Sequence, residues 1–181
     1  MRMRQQLSRW SLVLLAVASM GAAESTSQLV DVVKSGDLAT AAALLKQRID
    51  VNVPESDGTT ALHWAAHHAD LAITEALIRA GANVNAANRY GIVPLVIASS
   101  SGNAATIEAL LNAGADPNAV TPEGEPALLL AARSGQVNAV KTLLAHGVPV
   151  NIKERSKGQT ALMWATAEGH PDVVELLVGA G

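Results

Sequence analysis

The chain contains no cysteine and no phenylalanine, and its whole aromatic complement is three tryptophans and one tyrosine, 2% of 181 residues. Without cysteine, a disulfide scaffold, an iron–sulfur or thiolate–zinc site, a cysteine nucleophile and a lipid-modified N-terminal cysteine are excluded. The scarcity of aromatics argues against a thick single core, because large rings supply much of the buried area of such cores. Neither sign of charge dominates, with 13 Lys and Arg against 16 Asp and Glu. What remains is 49% hydrophobic, almost all of it Ala, Leu and Val. That fraction excludes wholesale disorder and predicts a thin core of small aliphatic side chains.

Residues 1–23 read as an export signal. Arg2, Arg4 and Arg9 occur without an acid, an apolar run extends from Trp10 to about Met20, and Gly21-Ala22-Ala23 follow. Basic flank, short apolar centre and small residues at the exit are the parts of a secretory signal peptide, with the cut expected before Glu24. A bilayer span needs about 20 apolar residues, which this run does not reach. An uncleaved anchor and a buried first helix are the competing readings. Cleavage removes three arginines and no acid, leaving ten basic residues against sixteen acidic ones and a net charge of −6. That balance lacks the basic footprint for nucleic acid or for an anionic membrane surface. The expected location is the periplasm or the extracellular space.

A repeat organises everything downstream. GTTALHWAAHHADLAITEALIRAGANVN from Gly58, GIVPLVIASSSGNAATIEALLNAGADPN from Gly91, GEPALLLAARSGQVNAVKTLLAHGVPVN from Gly124 and GQTALMWATAEGHPDVVELLVGAG from Gly158 align, with spacings of 33, 33 and 34. The extra residue falls within 153–157. Leu62, Leu95, Leu128 and Leu162 form one column, Ala65, Ala98, Ala131 and Ala165 a second, and Gly81, Gly114, Gly147 and Gly181 a third. Each copy parses as a turn glycine, a helix opened by Thr or Pro, a polar break ending in Gly or Ala, and a second helix ending at the column glycine. Helices this short are marginal alone and must stack on the next pair.

The period, the segments TTALHWAA and QTALMWA, and the endings AGANVN, AGADPN and HGVPVN closely resemble ankyrin repeats of an exported, bacterial-type protein. The resemblance covers roughly residues 25–181. It implies an all-α repeat solenoid of helix–loop–helix units with β-hairpin fingers projecting around residues 84–92, 117–125 and 150–159. The expected units are a degenerate N-terminal capping repeat with linker at 24–57, repeats at 58–90, 91–123 and 124–157, and a repeat truncated at its C-terminus at 158–181. In the capping repeat Arg48 stands where the column has glycine, which leaves that helix ending open. By resemblance, Thr60 and His63 hydrogen-bond to the backbone of the turn. Val93 and Pro126 replace Thr, and Val96 and Leu129 replace His, so the middle joins are expected to rely on apolar contact. Gly181 directly follows a second helix, and the expectation is a longer protein, with a fraying helix that caps itself as the competing reading.

Constellations for chemistry are weak. His63 and His67 lie four apart and could share a helix face, but the zincin pattern needs Glu where Trp64 stands, so no metal site is expected. Ser99, Ser100 and Ser101 lack the first glycine of a nucleophile elbow, and 156–160 lacks the order of a phosphate loop. Neither an enzyme nor a cofactor is expected.

By resemblance, the finger tips and the ends of the first helices form a concave face that grips another protein. The tips then carry Ser56, Asp57 and Thr59, Arg89, Tyr90 and Ile92, Pro122, Glu123 and Glu125, and Lys157 and Gln159. The helix ends carry His67 and His68, Ser100 and Ser101, Arg133 and Ser134, and Ala167 and Glu168. Trp, Tyr and Arg dominate binding energies most often, which puts Arg89 and Tyr90 first. Trp64 and Trp164 share one repeat position and either line the groove or pack between repeats. The reading is a monomeric, non-catalytic protein-interaction module, and the rival is a regulatory or targeting portion of a larger exported protein.

Overall fold

The computed structural model describes residues 28–181. The signal-peptide expectation for residues 1–23 lies outside them. Among the described residues ten helices follow one another as five antiparallel pairs: α1 (28–35) and α2 (Leu38–Leu45), α3 (Ala61–His67) and α4 (Leu71–Arg79), α5 (Pro94–Ser101) and α6 (Ala104–Asn112), α7 (Ala127–Arg133) and α8 (Val137–Ala145), and α9 (Ala161–Ala167) and α10 (Pro171–Gly179). Helix α3 packs on α5, α5 on α7 and α7 on α9, while α2, α4, α6, α8 and α10 form a second row behind them. The result is an all-α repeat solenoid. Its core is a ribbon between the rows.

The columns of the sequence are that ribbon. Ala65, Ala98, Ala131 and Ala165 are all buried, and their small side chains let successive first helices approach closely. Leu62, Leu95 and Leu128 are buried beside them, whereas Leu162 is half-buried in the last pair, where no further pair covers it. Met163 and Val178 are exposed in that same pair.

Local chemistry fixes where each helix starts and stops. Asp37, Asp70 and Asn103 cap the second helices by accepting the amides of Thr40, Ile73 and Thr106 at 3.1, 3.0 and 2.9 Å. Gly81, Gly114 and Gly147 end them in the left-handed region, at φ 91°, 91° and 82°. Arg48 takes the same role in the first pair at φ 55°, so the helix ends there without its glycine. The asparagines that follow staple neighbouring pairs. Asn52 donates to Gly81 O at 3.0 Å and accepts from Asn83 N at 2.7 Å, and Asn85 repeats this with Gly114 O and Asp116 N, both at 2.9 Å.

The loops differ from the hairpins expected. Among the described residues the only β-pairing is two isolated antiparallel bridges, Val120 with Pro126 and Lys153 with Thr160. Side chains cap the loop turns: Asn88 Oδ1 accepts from both Tyr90 N and Ile92 N at 3.0 Å, and Thr121 Oγ1 accepts from Glu125 N at 3.2 Å. Each loop is closed by a backbone bond, from Glu55 N to Thr59 O, Asn88 N to Ile92 O and Thr121 N to Glu125 O. The fourth spans one residue more, from Glu154 N to Gln159 O at 2.9 Å, which places the inserted residue inside the loop.

Candidate functional site

The concave side is built one residue per repeat. Helices α3, α5, α7 and α9 present Trp64, Ile97, Leu130 and Trp164 at the same helical position, and these form its floor. Both tryptophans pack against the core, and Trp64 also lines the groove, while Trp164 lines neither of its two depressions. Trp64 Nε1 donates to Glu55 Oε2 at 2.8 Å, and Lys34 Nζ lies 4.7 Å from the ring centroid while bonding Glu55 Oε1 at 2.8 Å. At the other end Arg133 stands 5.4 Å from the Trp164 ring and donates to Glu125 at 3.1 Å. A cation placed over an indole face in this way is held by the ring quadrupole as well as by its carboxylate. The Lys34 hydrogen bond holds the Glu55 carboxyl below its ordinary range against the opposing effect of burial.

Two depressions lie between these ends. One, of about 420 Å³, is lined by Ile92, Val96, Ile97 and Leu130 with Ser100, Glu125 and Arg133 at its rim. The other, of about 370 Å³, is lined by Thr59, Trp64, Asn88 and Ile97. His67 and Ile97 belong to both, so the two adjoin.

The residues singled out in the sequence fall into three groups. Ile92, His67, Glu125, Arg133 and Trp64 line the groove, and Trp164 lies outside both depressions beneath Arg133. His68 stacks on Trp64 at 6.3 Å and bonds Lys34 O at 3.0 Å, joining the first two pairs. Tyr90, at 62% exposure, Glu123 and Lys157 stand on loop tips outside both depressions. Arg89 is tethered: its guanidinium donates to the Ser56 carbonyl and its amide to Asp57 O at 2.7 Å, so it ties neighbouring tips together. Lys34 and Glu55 were missed. The visible signal was that Lys34, His67, Ser100 and Arg133 share one repeat column.

His63 is buried and held on both sides. Thr60 N donates to its Nδ1 at 3.1 Å, which places the proton on Nε2, facing Ile92 O at 3.0 Å. In the middle joins Val96 and Leu129 are buried in its place, as the apolar replacement implied. Burial pushes the His63 pKa below its ordinary 6.5. Glu154 is pressed upward by burial, but hydrogen bonds from Ser156, Gln159 and Lys157 outweigh this and hold its carboxyl at about 2, against an ordinary 4.5. Both groups bind fewer protons folded than unfolded, so stability falls as pH drops. The loss from His63 begins below about 6.5, and that from Glu154 runs from about 4.5 down to about 2. Thermal melts across pH 8 to 3 are expected to show both stages, with His63→Leu abolishing the upper one alone. A flat melting temperature between pH 7 and 5 contradicts the assignment.

Among the described residues, no group of three or more His, Asp or Glu is placed to hold a metal ion, and no helix is long and apolar enough to cross a membrane.

Stacked helix pairs with adjoining depressions between loop tips and helix ends define a helical repeat protein. The family model described as ankyrin repeats (3 copies) matches residues 29–121 and 95–181. The chain belongs to the ankyrin-repeat family. Ankyrin repeats are generally protein–protein interaction modules and are typically non-catalytic. No curated protein sequence matches the chain.

Proposed function

We propose that this chain is a non-catalytic module that binds a partner protein in the periplasm or extracellular space through its concave face. The observation that carries the binding reading is the pair of adjoining, apolar-floored depressions whose loop bank is fixed by hydrogen bonds and whose two ends carry ion pairs. A surface ordered before binding avoids much of the entropy that a flexible one loses on association. The proposed contact set is Arg89, Tyr90, Ile92, His67, His68, Glu123, Glu125, Arg133, Lys157, Trp64 and Trp164. Within it, the residues lining the groove carry the affinity and Tyr90 adds a contact from the tip.

Cross-linked pull-downs from the exported fraction test this. Capture is expected to fall at least tenfold for Ile97→Arg and to persist for Lys141→Glu, an exposed position on α8 behind the groove. Equal capture by both variants removes the groove from the reading. The compartment rests on the first 23 residues alone, and intact mass of exported protein is expected to begin at Glu24.

A further inference from the structure

The groove differs between its two banks in what its polar groups have left to give. On the loop bank they are occupied. Asp57 Oδ1 accepts from Thr59 N at 2.9 Å, Asn88 and Thr121 cap their own loops, and Glu125 takes Arg133. On the helix-end bank they are not. The side chains of His67 and Ser100 form no hydrogen bond among the described residues, and Arg133 uses one guanidinium nitrogen on Glu125 and leaves the others open. These three occupy one repeat column, so they stand in a row along the larger depression. Two of them are donors by nature and the third, imidazole, can be one. A guanidinium with open nitrogens suits a carboxylate in particular.

The ion pairs Lys34–Glu55 and Arg133–Glu125 join helix end to loop over the two tryptophans and mark the two ends of this stretch. Lys34 and Arg133 are three repeats apart in their column, so three helix spacings separate the ends. At roughly 10 Å per stacked helix this is about 30 Å. An extended chain rises about 3.3 Å per residue, so about nine residues fit.

Resting on the protein-binding reading above, we propose that the groove takes an extended segment of a partner protein in which a bulky apolar side chain sits beside a carboxylate. The apolar side chain fills the depression over Ile97 and Leu130, and the carboxylate meets the open guanidinium nitrogens of Arg133, with Ser100 and His67 each one repeat further along the row. The complementarity is local. It works against the acidic excess of the chain as a whole, so slow association and a short footprint are its expected marks.

Selection of a phage-displayed random dodecapeptide library on the full chain tests this. Enriched peptides are expected to carry Asp or Glu within two positions of Leu, Ile, Met, Phe or Trp. Synthetic versions should lose at least tenfold in affinity to Ser100→Glu, an exposed site where the change leaves the core untouched, and to Arg133→Gln. Replacing the peptide acid by its amide should abolish most of that sensitivity. Enriched peptides that lack the acid yet lose binding to Ile97→Arg overturn the carboxylate inference and leave the groove reading standing. Peptides insensitive to all three substitutions, or no enrichment, overturn both. Displacement of the peptides by micromolar laurate assigns the site to a fatty acid and overturns the inference of a protein segment.

Discussion

Leu128→Ala is expected to lower the unfolding free energy by about 3–5 kcal/mol, the range for a fully buried leucine truncated where neighbours cannot collapse. Leu128 is 0% exposed in α7, which packs on both α5 and α9. The cavity therefore loosens two interfaces at once. A linear array is stabilised by nearest-neighbour coupling, so a defect in the middle also divides it. Fluorotryptophan resonances of Trp64 and Trp164 report the two sides separately, and their denaturation midpoints should part in the variant. Leu162→Ala, at a half-buried site in the last pair, should cost less and leave the midpoints together. If Leu128→Ala lowers stability by less than about 1 kcal/mol, the ribbon is not the core it is taken to be.

The second large effect is Gly135→Ala, expected to cost about 2–3 kcal/mol. Gly135 sits at φ +69°, and a Cβ there would stand 2.7 Å from His170 Nδ1. The imidazole cannot simply swing away, because its Nε2 bonds Arg133 O at 2.9 Å across the pair. The left-handed backbone contributes about 1–2 kcal/mol for a residue with a Cβ, and loss of the cross-pair hydrogen bond about 1 more. The same loop position one pair earlier but one, Ala69, already carries a Cβ at φ 56°. Ala69→Gly should thus raise stability, by up to about 1 kcal/mol. Urea titration of both variants measures the contrast. Shifts of the same sign would sink it.

These opposite signs show which features could be read from the residues alone. The repeat, its leucine and alanine columns and the glycine stops are local or periodic, so their physics is complete within one unit. The dual tie of His63 followed from its place in the family pattern. What escaped depends on residues distant in the chain meeting in space. Lys34, Glu55 and Trp64 form one cluster although 21 residues separate the ion pair. Arg89 looked free at a tip because nothing in its own repeat shows Ser56 beneath it. Strand pairing in the loops stops at single antiparallel bridges, and spacing does not reveal how far such pairing runs.

The longer fourth loop carries a consequence for how such an array tolerates change. Its extra residue leaves α9 seated on α7 as α7 is seated on α5. Glu154, only 5% exposed, gathers the amides of Ser156, Lys157 and Gln159 onto one carboxylate. Loop length is thereby uncoupled from helix register, and a single acid serves as an adjustable hub. Loop exchange is best attempted at this junction: a graft that keeps an acid at position 154 could vary the tip while the helices on either side keep their register.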